Sequence, residues 1–462
     1  MHRSTGRSVP AAARTFVLTG TLLLLLALGA TGCASSAAIE RARGDFRTGN
    51  AEAALQGLAS DKVAERDRLV ALMEGGLIAQ SAGRIDDSIR RLREAAELIE
   101  RIDAVYVGEQ GAALVVNDRV TRYRGEYAER LWIRTVQMLN YLVLGDWQGA
   151  AVEARQAIEV FERYGEPLAG DVFTRTLLAR VLDAVGDPGA ASIEYGHAFE
   201  QSGGRSSVAA LARPAAARAG RPEDVKRYDE ALSRATDAVA RAAMPRSGQG
   251  SLLLIVATGQ VPPKRAGNLL LAPDLRISFP YYPDYVRSAI GETLEVRVNG
   301  QRAAMAPIVT RLGTVAEASL AARAKGVAAR QTVRAVTKQG IGAAASKENE
   351  ALGLLVGAAL MLLEEADTRG WQTLPGRWAL VEQALPAGEH RLEVRAGPDR
   401  RAVLEAVPIR AGATSVIVLG DGPGGLSRIT PLASPPAPPG PVPVVDEEDG
   451  ATRGAQVSSS SR

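Results

Sequence analysis

The feature that most constrains this chain is a series of glycine turns spread through its alanine- and leucine-rich first half. From about Ala37 to Ala243, apolar residues recur at helical spacing with almost no strand signal. The spacings between successive turns are 34, 62, 41 and 34 residues, and the turns are Gly49-Asn50, Gly83-Arg84, Gly145-Asp146, Gly186-Asp187 and Gly220-Arg221. Glycine suits these positions because helices often end on a left-handed residue. The pattern therefore predicts consecutive pairs of helices.

The 34-residue period resembles the tetratricopeptide repeat, in which a short turn joins two helices. Two segments fit the repeat well, Leu77 to Ala96 and Leu177 to Ala198, and we expect Pro188 to begin a helix. Each pair in such an array buries one face on its neighbour, which produces a superhelix with a concave surface. We therefore predict an all-α, tetratricopeptide-like repeat domain over residues 33–243.

The start of the chain predicts export and lipid anchoring. Three arginines precede an apolar run from Phe16 to Ala30, and no acidic residue comes before Cys33, the only cysteine. The residues Ala30-Thr31-Gly32-Cys33 resemble the lipobox of bacterial lipoproteins. That resemblance implies removal of a signal peptide at residues 1–32 and acylation of Cys33. An uncleaved N-terminal helix or a signal peptide without lipidation is the alternative.

The charge balance argues against a nucleic-acid partner. The net charge of +3 comes from the three arginines of the signal, and without them 52 basic residues face 52 acidic ones. With Cys33 modified, no cysteine remains for a disulfide or a thiolate metal site. The mature histidines, His197 and His390, lack neighbours at metal-ligand spacing, so we predict no cofactor and no metal.

The second half has the pattern of a mixed α/β domain over residues 244–420. The apolar run Ser251 to Ala257 has strand length, and Asn299-Gly300 predicts a tight hairpin. We expect a helical hairpin over 314–367, a small β-sandwich or meander formed by the last three strands, and a proline-rich disordered tail over 421–462. The further predicted strands are 275–279, 293–298, 303–309, 378–384, 391–396, 402–408 and 414–419.

Two groups of polar and aromatic motifs stand out, one in each half of the chain. The first comprises Asn117-Asp118-Arg119, Tyr123-Arg124-Gly125-Glu126, Glu129-Arg130, Asn140-Tyr141 and Val152-Glu153-Ala154-Arg155. The second comprises Ala366-Asp367-Thr368-Arg369, Trp371-Gln372-Thr373-Leu374-Pro375 and Leu385-Pro386-Ala387-Gly388. Together they resemble a largely uncharacterised family of bacterial outer-membrane lipoproteins with a tetratricopeptide-like first half. The resemblance implies a lipid-anchored protein on the outer membrane that faces the periplasm.

The first motif group supports two interpretations. Glu126 and Arg130 are four residues apart on a helix, and Glu153 of the next helix could approach Arg130 or Arg124, which would give a structural charge network. The alternative is a polar groove that holds a peptide or glycan, since the arginine fork suits such ligands. Its candidate residues are Asn117, Arg119, Arg124, Glu126, Arg130, Asn140, Glu153 and Arg155.

A second candidate surface is a basic strip formed by Arg323, Arg330, Arg334 and Lys338. These residues lie at i, i+7, i+11 and i+15 of the predicted helical hairpin, on one face. They form either a solvated face or a surface for anionic lipid or peptidoglycan carboxylates.

The sequence thus predicts a binding or assembly module for envelope maintenance. Its expected partners are the membrane, through Cys33, a periplasmic or outer-membrane protein, and peptidoglycan. A regulator of a peptidoglycan synthase is a narrower form of this prediction. The alternative from another class is a glycan-acting enzyme that uses two carboxylates, such as Glu126 with Glu153 or Asp367 with Glu389.

Overall fold

The computed structural model describes residues 36–108, 122–235, 247–272, 275–283, 293–323, 366–422 and 424–432. Cys33 and the segment that contains Asn117 and Arg119 lie outside these residues. So do most of the predicted helical hairpin over 314–367 and most of the proline-rich tail. No helix within the described ranges is both long and apolar enough to cross a membrane.

The first half is built from helices that follow one another as antiparallel pairs. They are α1 (36–47), α2 (Ala51–Gly57), α3 (Arg68–Ser81), α4 (Ile85–Gly108), α5 (Tyr127–Leu144), α6 (Trp147–Tyr164), α7 (Val172–Ala184), α8 (Pro188–Gln201), α9 (Ser206–Arg218) and α10 (Pro222–Ser233). The pairs α3 with α4, α5 with α6, α7 with α8 and α9 with α10 pack closely. The predicted helical first half is confirmed.

The turns form by the predicted mechanism. All five turn glycines, at positions 49, 83, 145, 186 and 220, have φ between 67° and 87°. The next helix is then capped by the residue after the glycine in several turns: Asp146 accepts from Gly149 N at 2.8 Å, and Asp187 accepts from Ala190 N at 3.2 Å. The helix α8 begins at Pro188, as predicted.

The first and second helices of the pairs differ in burial. In α3, α5 and α7 almost every residue of the middle turns is buried, whereas α4 and α6 alternate between buried and exposed positions. An amphipathic helix that covers one surface buries one stripe. Helices α3, α5 and α7 are therefore covered on two sides, and the second half of the chain supplies the second cover.

The second half contains three groups of strands and one described helix. Its strands are β1 (Gln249–Thr258), β2 (Arg265–Ala272), β3 (Leu275–Tyr281), β4 (Leu294–Val298), β5 (Gln301–Arg302), β6 (Ile308–Arg311), β7 (Arg377–Pro386), β8 (Gly388–Ala396), β9 (Arg401–Ile409), β10 (Thr414–Gly422) and β11 (Gly425–Arg428), with α11 at 312–323. The central sheet has the order β11-β10-β1-β7-β6, the second sheet the order β5-β4-β8-β9, and β2 pairs with β3.

The strand β1 explains how the layers are joined. Leu253 and Ile255 belong to the core shared with the helices, whereas Leu252, Leu254 and Val256 belong to the core shared with the second sheet. Because side chains of a strand alternate between faces, the continuous apolar run of β1 contributes to a hydrophobic core on each side of the central sheet. Helices, central sheet and second sheet form three layers, and the described contacts join them in one compact unit that ends at Pro431.

Some predicted details are wrong. The last three strands do not form a meander, because β8 and β9 pair in the second sheet while β10 joins β1 in parallel in the central sheet. The predicted strand 303–309 is replaced by β6, and β2 was not predicted. The ordered fold also continues past residue 421, because β10 ends at Gly422, which pairs with Gly425 at the start of β11. The predicted hairpin at Asn299-Gly300 is confirmed, with φ of 50° and 78°.

Candidate functional site

The predicted groove residues that the structure describes do not line one open groove. Glu126, Arg130, Asn140 and Glu153 are buried, and only Arg124 and Arg155 keep substantial solvent exposure. Asn140 donates to Ser88 Oγ at 2.9 Å and accepts from Gln80 Nε2 at 2.8 Å, so it links α5 to α3 and α4. The sequence pattern identified these polar positions but could not show that they point into the protein.

The ion pairs predicted for Glu153 are also wrong, because Glu153 binds a different arginine. Glu153 accepts from Arg134 Nη1 at 3.1 Å, not from Arg124 or Arg130. Arg155 lies 3.6 Å from Asp187, which caps the following helix. These two pairs connect neighbouring helices of the array and have the structural role of the charge-network interpretation.

Glu126 forms its ion pairs with the second half of the chain. It accepts from Lys264 Nζ at 2.8 Å and from Arg323 Nη1 at 2.7 Å, so the expected pair with Arg130 is wrong. The reason is that Glu126 precedes the first turn of α5, where its side chain reaches the loop before β2 and the helix α11. Burial opposes ionisation, but the charges of Lys264 and Arg323 lower the pKa of Glu126 to about 2.

Glu129 lies beside Glu126 and receives three hydrogen bonds. Its Oε2 accepts from Tyr123 OH at 2.6 Å and from Glu126 N at 2.9 Å, and its Oε1 accepts from Trp371 N at 2.8 Å. Burial is the main cause that raises the pKa of Glu129, with the charge of Glu126 adding to it and Lys264 opposing it. Two adjacent carboxylates thus have pKa values shifted in opposite directions.

The segment 366–374 lies across the first helices of the repeats and is held largely through its main chain. Glu74 of α3 accepts from Gln372 N at 2.9 Å and from Thr373 N at 3.0 Å, and Arg43 of α1 donates to Gly370 O at 2.6 Å. Arg43 Nε also donates to Glu74 at 2.7 Å. The side chains of Trp371 and Leu374 are buried in the shared core. The inner surface of the array therefore holds an extended segment of its own chain.

The two motif groups of the sequence meet at this place. Tyr123, Glu126 and Glu129 come from the first group, and the segment 366–374 carries the second. Arg369 reinforces the contact by donating to Asp67 Oδ1 at 3.1 Å and to Arg66 O at 3.1 Å. We call this set of contacts the joint, formed by Arg43, Asp67, Glu74, Tyr123, Glu126, Glu129, Lys264, Arg323 and Arg369 with the segment 366–374.

An arginine–tyrosine cluster at the edge of the joint remains partly open to solvent. It consists of Asp103, Arg124, Tyr127, Arg130 and Tyr164. Asp103 Oδ1 accepts from Arg124 Nη2 at 3.2 Å and from Arg130 Nη2 at 3.0 Å, and its Oδ2 accepts from Arg130 Nη1 at 2.5 Å. The rings of Tyr127 and Tyr164 stack with centroids 4.1 Å apart. Arg124 and Asp103 are 31% and 29% exposed, so solvent reaches this part of the predicted groove.

The structure describes one member of the predicted basic strip, Arg323. Arg323 is only 21% exposed and binds Glu126, so this member is not a free surface cation. Arg330, Arg334 and Lys338 lie outside the described residues.

Of the residues considered for catalysis or metal binding, Asp367 and His390 have other partners. Asp367 accepts from Arg369, and His390 is satisfied by Asn299 on Nδ1 at 3.0 Å and by Pro386 O on Nε2 at 2.9 Å. Glu389 and His197 are exposed. Within the described ranges, no group of three His, Cys, Asp or Glu side chains could hold a metal ion.

Sequence reasoning missed several residues of the joint. Glu74 interrupts the apolar helix α3, where a carboxylate signals an internal partner, and Glu129 was part of a recognised motif. Lys264 and Arg43 of the joint had no comparable signal, and neither had Asp103 of the arginine–tyrosine cluster, because their roles depend on contacts with elements distant in sequence.

No family model matches the chain, and no curated protein matches it. Among solved structures it is similar to the MamA protein, with 15% identity and a TM-score of 0.30 over 44% of this chain and 91% of the other.

Two further structures show a similar degree of likeness. YrrB, a TPR protein with an unusual peptide-binding site, is 16% identical with a TM-score of 0.29 over 44% of this chain and 88% of its own. A Podosopora anserina kinesin light chain with nearly identical TPR-like repeats is 16% identical with a TM-score of 0.28, over 43% and 93%. The repeat character of the present chain is defined by its own helix pairs and glycine turns.

Proposed function

We propose that the protein is a lipid-anchored binding module of the bacterial envelope, held at the outer membrane through Cys33 and facing the periplasm. The observation that carries the binding role is the arginine–tyrosine cluster. It is the part of the predicted groove where one guanidinium group, that of Arg124, and two partly exposed tyrosine rings are bonded into the fold and remain accessible to solvent. Arginine and tyrosine are the residue types that most often dominate binding surfaces.

The occupied inner surface limits where a partner can bind. Because the segment 366–374 and the central sheet cover α3, α5 and α7, a partner meets the array at its edges and on α4, α6 and α8. A docking protein of a peptidoglycan synthase is the narrower form of this proposal. Glu126 is bound to the buried Lys264 and Glu153 to the partly buried Arg134, which favours a structural role for both over a role in glycan cleavage.

Site-specific photo-crosslinking in intact cells tests the binding role. A photoreactive residue replaces Tyr164 in the cluster, and a second variant replaces Tyr281, which is 42% exposed on β3 and serves as the control. We expect a discrete crosslinked protein from position 164 alone. The absence of any product from position 164, or the same product from both positions, would contradict the proposal.

Radiolabelling with palmitate tests the anchor. We expect label in the wild-type protein and none in Cys33→Ala, with the variant released from the membrane fraction, because several acyl chains hold a protein firmly. Equal labelling of both proteins, or an unchanged membrane fraction for the variant, argues against lipidation at Cys33.

A further inference from the structure

We propose that one face of the β2–β3 hairpin is a second membrane contact, which lies on the lipid surface beside the anchor. Residues that pair directly across antiparallel strands lie on the same face. The face in question, which we call the outer face, consists of Arg265, Gly267 and Leu269 of β2 with their partners on β3, Tyr281, Phe279 and Ile277. The proposal goes beyond the anchor at Cys33 and rests on the proposed function only for the presence of a membrane.

The hairpin is attached to the rest of the described fold through its other face. Ser278 of β3 is 1% exposed, and its Oγ accepts from Ala366 N at 3.0 Å. Phe279 and Tyr281 point the opposite way, since side chains alternate along a strand, and they are 40% and 42% exposed. Among the described strands, β2 and β3 pair only with each other. A two-stranded hairpin is marginally stable in water by itself, so a supporting surface for the outer face would stabilise it.

The two exposed rings form one patch. A Cβ atom on Gly267 would lie 2.7 Å from the ring of Phe279, so this ring lies across the glycine of the opposite strand. The ring centroid of Tyr281 is 6.4 Å from that of Phe279. Of the exposed large apolar side chains in the described ranges, these two are the aromatic ones. Their adjacency on a single face marks a contact surface.

The order of residues along the outer face selects a lipid surface over a protein partner. Polarity falls from the base outwards in three pairs, which are Arg265 with Tyr281, Gly267 with Phe279, and Leu269 with Ile277. A bilayer interface has the same order, with anionic phosphates outside, aromatic residues at the headgroup level and aliphatic residues toward the acyl chains. A protein partner imposes no such order along a strand.

The charges near the tip determine how the hairpin would lie. Arg276 pairs with Leu270, one position along from the outer-face pair of Leu269 and Ile277, and so belongs to the other face. Asp274 stands between the two strands in the sequence. Charged side chains are costly among acyl chains, which excludes entry of the tip first. The hairpin would therefore rest on its outer face, at the depth of about 5–10 Å that is typical of interfacial elements.

The base of the hairpin lies near the helix that follows Cys33. A Cβ atom on Gly370 would lie 3.3 Å from Lys264 Cε, directly before β2, and Arg43 of α1 donates to Gly370 O at 2.6 Å. From Arg43 back to residue 36, helix α1 rises by about 10 Å. The residues from 36 back to Cys33 add at most about 11 Å. Because β2 is about 23 Å long, the anchor and the hairpin can reach the same membrane surface.

Photo-crosslinking to lipid tests the contact. The full-length protein with a photoreactive phenylalanine analogue in place of Phe279 is reconstituted in vesicles of phosphatidylethanolamine and phosphatidylglycerol, irradiated and analysed by mass spectrometry. The control carries the same analogue in place of Ile193, which is 44% exposed on α8 and so is matched in exposure. We expect phospholipid adducts at position 279 and none above background at position 193.

Charge variants test the contribution of Arg265. Arg265→Glu should lower the adduct yield at position 279 by about fivefold or more, the weight of one basic residue near an anionic membrane. Arg302→Glu makes the same charge change on the exposed strand β5 and should leave the yield unchanged. With phosphatidylcholine in place of phosphatidylglycerol, the difference between the two variants should disappear. Thermal melts verify that all variants fold.

Several results would overturn the inference. Equal adducts at positions 279 and 193 would show a non-specific approach to the membrane, and equal effects of Arg265→Glu and Arg302→Glu would remove the role of the outer face. A crosslink from position 279 to a second copy of the chain, or to another protein in intact cells, would make the face a protein interface.

The anchor and the hairpin contact can fail separately. Lipid adducts at position 279 in a protein whose Cys33 takes no palmitate would remove the proposed anchor and support this inference. Palmitate on Cys33 without adducts at position 279 would leave the proposed function intact and overturn only the hairpin contact.

Discussion

At the scale of single residues, Glu126 connects the two halves of the molecule. Its carboxylate is buried between Lys264 of the loop before β2 and Arg323 of α11. Breaking a buried ion pair by removing one partner leaves an uncompensated charge and costs about 3–5 kcal/mol. We therefore expect Glu126→Gln to lower the free energy of unfolding by about that amount at pH 7.

The pH dependence of the stability lost in Glu126→Gln is a sharper test than the size of that loss. The pKa of Glu126 falls from 4.5 to about 2 on folding, so its contribution is complete above pH 4.5 and is lost as the pH falls toward 2. Urea unfolding at several pH values should show the difference between wild type and Glu126→Gln shrinking over this interval. Glu159→Gln, at an exposed position, is the control and should have little effect. A difference that stays constant down to pH 2 would refute the ion-pair account.

The sequence allowed some of these residues to be selected but not paired. Glu126 and Arg130 were recognised as functional candidates, yet helical spacing suggested that they bind each other. In the structure the position of Glu126 before α5 directs it to Lys264, 138 residues away, and Arg130 turns to Asp103. Pairing over such distances follows from tertiary packing, which local spacing does not encode.

At the scale of elements, the close contact between α3 and α4 depends on glycine. A Cβ atom on Gly76 would lie 2.6 Å from Leu92, which is fully buried. Relief of this clash requires movement of the packed Leu92 side chain, and overpacking of this kind costs about 1–3 kcal/mol. We expect Gly76→Ala to lower the thermal midpoint accordingly.

The same substitution in α1 should act in the opposite direction. Gly44 lies in a helix, and a Cβ atom added there would have no neighbouring atom within 4 Å. Replacement by alanine should stabilise the protein by about 0.5–1 kcal/mol, because alanine loses less backbone entropy in a helix. Thermal unfolding of both variants checks the pair. If both substitutions shift the midpoint in the same direction, the packing explanation is wrong.

The elements differ in how well sequence predicts them. The turns were predictable because glycine in the left-handed region has a local cause, and all five have positive φ. The pairing of β10 with β1 was not predictable, because the two strands are more than 150 residues apart in the sequence and pair in parallel. The stretch that begins at Gly422 resembled the start of a disordered tail by composition, although Gly422 ends β10 and pairs with Gly425 of β11.

At the scale of the whole molecule, Trp378 of β7 shows that helices and sheet share one core. Its ring stacks on Phe173 of α7 with centroids 5.4 Å apart and meets Trp132 of α5 edge-on at 6.3 Å. It is 1% exposed. A second contact joins the same elements, because Arg180 of α7 donates to both oxygens of Glu382 on β7, at 3.0 and 2.9 Å.

A shared core implies that the halves unfold together. Trp378→Ala should remove about 3–5 kcal/mol of stability by leaving a cavity between the layers. Because the cavity borders both halves, hydrogen exchange followed by mass spectrometry should show protection falling in α5 and α7 as much as in β1 and β7. Trp147→Ala, at a half-buried position on α6, removes the same side chain from beside Arg180 and not from between the layers, and should have a smaller effect. Protection lost in the sheet alone, with α5 and α7 unchanged, would mean that the repeats fold as a separate unit and that the joint merely attaches them to the strands.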